Sequence, residues 1–495
     1  MKAARPSEWL KRAFWALTII ALTFCFWHLE AERATVETRH FDTAEGGVTV
    51  YQTQDDGARP LVVVTHGFAG SLQMMQYISR DLARAGFTVA AFDFYGHGRN
   101  ETRLSRDITR IEGTTQQLVE QTHAVIDALE EERGVPAQMA LLGHSMATDI
   151  IIRAGQDMPN LSAVVAISMY SEAITSDYPR RLLVISGEWE DRLRVAGLNA
   201  VAQIDAEGVE GQTVGQGEVV RRTVYTPRTE HVAVLFAQPT LDETRLWLQS
   251  AFGVPNVGQA MPQGLYILLL LAGILVLSAP LARLLPARHW DREALGLRVF
   301  LTAVFLPVAP ACAAAVLLNG PVAGSAAFGG LAWFFGVWGA VALVVMMRAG
   351  ARLPRPDVRG VALLLVWGLA VFALALDRYG AAFLPTGARL PLMATLLPAC
   401  VIFALADRLL VRNGRLWQRL LARVVPVAAL AGCMVAASGQ MGLLFTVLPV
   451  MVLFYGVYGT MARFVAKRQG PTTAGLALGV ILAWSIAAST PLFIG

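Results

Sequence analysis

The sequence predicts two architectures in one chain: an α/β domain built on a mostly parallel sheet, then an all-α polytopic membrane domain. Three observations lead there. Charge divides sharply, with 23 basic and 32 acidic residues in 1–262 but 18 and 5 in 263–495. Apparent strands and helices alternate through the first half, the pattern of a parallel sheet covered on both faces. The second half is a series of apolar runs of membrane-spanning length, separated by short arginine-bearing loops.

Composition narrows the function classes. The 495 residues allow two or three domains. Apolar residues make up 55% and charged residues 16%, against about 25% in soluble domains. Mean hydropathy is +0.49. These values exclude a simple soluble enzyme and a largely disordered chain. No nucleic-acid partner is expected, because the basic pI near 9.0 comes from arginines in short loops and not from a patch on a folded domain. The four cysteines, Cys25, Cys312, Cys400 and Cys433, all lie in apolar runs. Residues 30–262 therefore carry no disulfide framework and no zinc spacing.

The elements follow in order. Residues 1–12 form a basic start with Lys2, Arg5, Lys11 and Arg12, read as cytoplasmic. Residues 13–29 are apolar. A cleavable signal would look similar, but Glu30-Ala31-Glu32-Arg33 is a poor cleavage site, which favours an uncleaved anchor. Residues 30–262 are then exported. Within them, strands are expected at 48–53, 61–65, 87–92, 139–142, 161–168, 182–186 and 218–225. Helices are expected at 74–85, 114–133 (ended by Gly134 and Pro136), 145–155 and 241–251.

Eight apolar spans are expected in 263–495, near 264–282, 299–318, 325–347, 360–376, 390–406, 424–437, 441–462 and 472–494. The spans at 424–437 and 441–462 are the weakest and could form a hairpin. Arginine and lysine stay on the cytoplasmic side. The loops alternate: Arg283, Arg288, Arg292 and Arg298; then none; Arg348, Arg352, Arg355 and Arg359; then only Arg378 and Arg389; Arg408 to Arg423; then none; and Arg463, Lys467 and Arg468. This places residues 30–262 and the C-terminus outside, with nine spans in all. No charged residue sits well inside the eight C-terminal spans, and Asp377 and Asp407 are at ends. An ion-coupled transporter is therefore not expected.

The chemistry sits at one strand–helix junction. Residues 140–147, Ala-Leu-Leu-Gly-His-Ser-Met-Ala, are an apolar strand ending in G-x-S-x-A and opening a helix. Ser145 would stand on a tight turn with its hydroxyl above the sheet edge, and Gly143 and Ala147 are small enough for strand and helix to meet. His66-Gly67-Phe68-Ala69-Gly70-Ser71 follows strand 61–65. It can aim the N–H of Phe68, together with that of Met146, at a developing oxyanion.

With those residues in view, residues 46–252 resemble the α/β-hydrolase superfamily. The carriers are the His66–Gly70 turn, the Asp93-Phe94-Tyr95-Gly96-His97-Gly98 turn and the Gly143–Ala147 elbow. Residues 263–495 resemble no family that can be named. The resemblance implies the order nucleophile, acid, histidine. It points to His231, after strand 218–225, as the base. It points to Glu190 as the acid, three residues after Gly187, with Asp191 as the alternative if the loop shifts by one. Asp93 and His97 are expected to be structural. No metal and no organic cofactor are implied. The segment from Met169 to Arg181 is too short for a helical lid, so the site is expected to be open or covered by the membrane domain.

Three readings follow. The first is a membrane-embedded serine hydrolase at the outer face of a bacterial inner membrane, acting on an ester or lipid acyl bond, with peptidase activity within its range. The second is an acyltransferase to an envelope glycan or lipid. The third is a non-catalytic membrane scaffold.

Overall fold

The computed structural model describes residues 8–53, 59–108, 110–134, 138–256, 258, 260–261, 263–290 and 293–495. Lys2, Arg5, Pro136 and Arg292 lie outside the described residues. The chain divides into two compact units. One is Thr23–Leu270 with Arg378–Ala382; the other is Met1–Leu22, Leu271–Asp377 and Phe383–Gly495.

The first unit is built on a nine-stranded sheet: β1 (Glu37–Thr43), β2 (Gly46–Gln52), β3 (Leu61–Thr65), β4 (Thr88–Phe92), β5 (Met139–His144), β6 (Leu161–Ile167), β7 (Arg181–Gly187), β8 (Thr213–Gln216) and β9 (Val219–Thr226). Their order is β1-β2-β4-β3-β5-β6-β7-β9-β8. From β4 to β9 the pairs are parallel, while β2 and the two edge strands run antiparallel. β3 and β5 are buried along their whole length, as Val- and Leu-rich strands covered on both faces must be. The helices α2 (Leu72–Arg84), α3 (Gln116–Arg133), α4 (Met146–Ala154), α5 (Asp191–Ala202) and α6 (Gln238–Phe252) supply the crossovers and cover. Gly134 and Gly253 end α3 and α6 in the left-handed conformation, which glycine adopts without a Cβ clash.

The expected elements of this unit are present with ends shifted by a few residues. Three more appear. β1 is a polar, mostly exposed edge strand without clear alternation, and β8 has four residues. α5 is interrupted in its pattern by Gly197, where a Cβ would stand 2.5 Å from Thr223 Oγ1. The unit also includes five residues from the far half of the sequence. Tyr77 Oη donates to Tyr379 O (3.1 Å), and Ala382 N donates to Ser71 Oγ (2.9 Å).

The second unit is helical. Among the described residues, nine helices are long and apolar enough to cross a membrane, which is compatible with a multi-pass membrane protein. They are Trp9–Arg33, Gly264–Leu284, Leu297–Leu317, Phe328–Arg348, Val358–Tyr379, Arg389–Leu410, Leu416–Ala436, Ser438–Gln469 and Pro471–Ser489. Near 424–462, where the weakest spans are expected, stand helical segments of 21 and 32 residues, both longer than expected. Arg419 and Arg423 lie in the first turns of the former, so an apolar run starts too late to mark its beginning. Small residues let helices close up. At Gly479 a Cβ would stand 2.4 Å from Val401 Cα, and at Gly339 it would stand 2.6 Å from Phe403 N.

Candidate active site

The C-terminal edges of β3, β5, β6, β7 and β9 converge on one group of side chains. Ser145 follows β5 and precedes α4. Its φ of 56° and ψ of −122° are strained for a residue with a Cβ. Its N–H donates to Ile167 O at 2.8 Å, tying the turn to β6. Gly143 allows the turn, because a Cβ there would lie 2.9 Å from Ala147 O.

His231 follows β9. Its Nε2 is 2.8 Å from Ser145 Oγ, and its Nδ1 is 2.5 Å from Glu190 Oε1. An ionised Glu190 assigns the ring proton to Nδ1 and leaves Nε2 to accept from the serine hydroxyl. Glu190 follows β7 and is 9% exposed. Its second oxygen accepts from Gly187 N (2.6 Å) and Ser168 Oγ (2.7 Å). Burial pushes the Glu190 carboxyl up, but the hydrogen bonds from His231, Gly187 and Ser168 outweigh it. The group titrates below its ordinary value.

Asp191, the alternative acid, is not brought to this group. It is exposed and opens α5, one residue past the loop. The spacing from Gly187 decides this: Glu190 N donates back to Gly187 O at 3.1 Å, and that turn faces the Glu190 side chain toward Gly187 N.

The His66–Gly70 turn lies directly against the elbow. A Cβ on Gly67 would stand 2.8 Å from Ser145 Cβ, so only glycine fits there. Of the expected oxyanion donors, Phe68 follows Gly67 on this turn and Met146 is the first residue of α4. His66 is buried, with Nδ1 2.8 Å from Gly67 O, and its Nε2 accepts from Phe94 N at 3.1 Å. Asp93 accepts from Leu72 N (2.7 Å) and Arg99 N (2.9 Å), so it holds the start of α2 and its own turn.

Two supporting residues were not singled out from the sequence. His144 Nε2 donates to His231 O at 2.8 Å. Burial, reinforced by the neighbouring His231, pushes the His144 imidazole down to about 4. Ser168 directly follows β6 with φ 53° and turns its hydroxyl onto Glu190. The only sequence signal for either was position, one at the elbow and one at a strand end. Around the mouth, Trp189 is 66% exposed, and Tyr170 and Val232 are also exposed. Among the described residues, no group of His, Cys, Asp or Glu is arranged to hold a metal.

Known proteins place part of the chain. The family described as serine aminopeptidase, S33 matches residues 56–204. No curated protein matches the sequence. A protein of Thermus thermophilus is 15% identical, covering 44% of this chain and 99% of its own, with a TM-score of 0.33. A serine hydrolase without a lid from Xanthomonas campestris is 16% identical, covering 45% and 97%, at 0.33. A dienelactone hydrolase of Anabaena variabilis is 18% identical, covering 44% and 98%, also at 0.33. With the sheet order and the elbow already in place, residues 56–204 match the family described as serine aminopeptidase, S33, and lie on a mostly parallel α/β sheet.

Proposed function

We propose that this chain is a membrane-embedded serine hydrolase that cleaves an acyl ester, with Ser145 as nucleophile, His231 as base and Glu190 as the acid that orients it. The observation that carries this reading is the unbroken chain Ser145 Oγ–His231–Glu190, at 2.8 and 2.5 Å. His231 Nε2 takes the serine proton as Oγ attacks the carbonyl. Glu190 holds the imidazole in the productive tautomer and stabilises its cation. The N–H groups of Phe68 and Met146 receive the oxyanion. His231 returns the proton to the leaving alcohol. Water, deprotonated by the same imidazole, then releases the acyl group and restores Ser145.

The mouth supports the substrate class. The connection from Ile167 to Arg181 holds no helix, and exposed Trp189, Tyr170 and Val232 offer an apolar rim. That suits an acyl ester or a lipid presented at a bilayer. The loop charges support a hydrolase at the outer face of a bacterial inner membrane, with residues 1–12 inside, 13–29 as anchor, 30–262 outside and 263–495 in the membrane.

The test is labelling of membranes by a fluorophosphonate probe. The intact chain should label, and Ser145→Ala and His231→Ala should abolish labelling. A folded intact chain that resists the probe in the presence of its membrane would overturn the catalytic reading and favour a scaffold.

A further inference from the structure

Three helix ends in the membrane unit collect far more positive than negative charge. Asp407 and Arg408 lie near the end of Arg389–Leu410, and both are 5% exposed. Arg423, on Leu416–Ala436, donates Nε to Asp407 Oδ1 at 3.4 Å and holds its guanidinium 4.8 Å from the Tyr455 ring. Arg408 Nη1 stands 3.9 Å from Asp407 Oδ2, beyond hydrogen-bond reach. Arg408 Nε, Arg408 Nη1 and Tyr455 Oη are buried without a hydrogen-bond partner. Arg419 and Arg463 add their charge within electrostatic reach of Arg408.

Arginines at cytoplasmic helix ends are ordinary, and they normally extend to water. That account fits Arg463, which is exposed. It does not fit Arg408. A buried guanidinium with unmade hydrogen bonds is costly, and the one carboxylate near it gives Oδ1 to Arg423 and holds Oδ2 3.9 Å away without a hydrogen bond, so one negative charge serves both Arg408 and Arg423. An anion would satisfy both the charge and the open donors.

We propose that the ends of helices Arg389–Leu410, Leu416–Ala436 and Ser438–Gln469 bind a phosphate-bearing anion, with Arg408 at the floor and Arg419 and Arg463 at the mouth. The phosphate chemistry has two sources, the headgroup of an anionic phospholipid or a soluble phosphate compound. The lipid source is favoured here. Leu416, Leu420 and Val424 form an exposed apolar stripe along the same helix as Arg419 and Arg423, where acyl chains would lie. This source, unlike the site, rests on the reading that these helices span a bilayer.

The experiment uses the purified full chain in neutral detergent, followed by native mass spectrometry and thermal stability. Phosphatidylglycerol should be retained over phosphatidylcholine, and retention should fall about tenfold in Arg408→Gln. A second variant, Arg419→Gln with Arg463→Gln, changes only the mouth and keeps the test open if Arg408→Gln misfolds. Stabilisation by inorganic phosphate that both variants lose, without preference among lipids, assigns the site to a soluble anion. Equal retention of the two lipids with no phosphate effect, or folded variants that bind as the intact chain does, overturns the site.

Discussion

Ser168 shows how much of the proposed catalytic arrangement rests on a residue outside the Ser145–His231–Glu190 chain. Its hydroxyl holds the outer oxygen of Glu190, while the inner oxygen holds His231. Ser168→Ala should leave KM unchanged and lower kcat about tenfold, well short of the roughly 10⁴-fold loss expected for Glu190→Gln, which misorients the base. It also removes a hydrogen bond to the ionised carboxylate, so the Glu190 pKa rises toward its ordinary value. The variant should therefore lose activity first on the acid side of the pH–rate profile. His144 makes a separate prediction. Folding lowers its pKa from 6.5 to about 4, so the native state binds fewer protons than the unfolded one in between. Its contribution is whole above pH 6.5 and is lost as pH falls through 4. The thermal midpoint of the full chain should drop across that window, by roughly 5 °C, and His144→Asn should flatten the drop. Ser145, His231 and Glu190 were legible as candidates, because a turn motif and chain order mark them. Ser168 and His144 were not, because their roles depend on strands that meet only after folding.

At the scale of elements, legibility followed burial. β3, Val-rich and buried throughout, has the ends that the sequence suggests. β1 and β8, which lie at the two edges of the sheet, have no apolar face to betray them. The membrane helices add a rule of approach. Gly475 and Gly479 lie one turn apart on Pro471–Ser489, and both face Arg389–Leu410, whose backbone would collide with a Cβ at either. Gly479→Leu should force the pair apart and lower the midpoint of detergent-solubilised protein, while Gly456→Leu, where a Cβ meets nothing, should change it little. Arg389 belongs to the same contact. It is 2% exposed and donates to Ala487 O (2.9 Å) and Thr490 O (2.7 Å), using carbonyls that the end of a helix leaves open. The sequence placed Arg389 in an outer loop; its partners lie about a hundred residues away.

For the whole molecule, the loop charges make a directional prediction. A reporter active only outside the cell should work when fused after residue 262 or at the C-terminus, and should be silent in the loops after Arg348 and after Arg468. Activity in either of those loops would refute the nine-span orientation. The sequence by itself indicated an α/β half and an apolar half, the positions of the central strands along the chain, the turn at Ser145 and most of the long apolar helices. Each is written in local pattern, because a buried strand, a tight turn and a lipid-facing helix restrict the residues that form them. Only the tertiary structure brought Glu190 and not Asp191 to His231, set Ser168 and His144 beside them, and drew Arg378–Ala382 into the unit built on the sheet. It also buried Arg408 beside Asp407, whose one charge Arg423 shares. These facts depend on which distant groups share a space, and nothing in local pattern carries that distance.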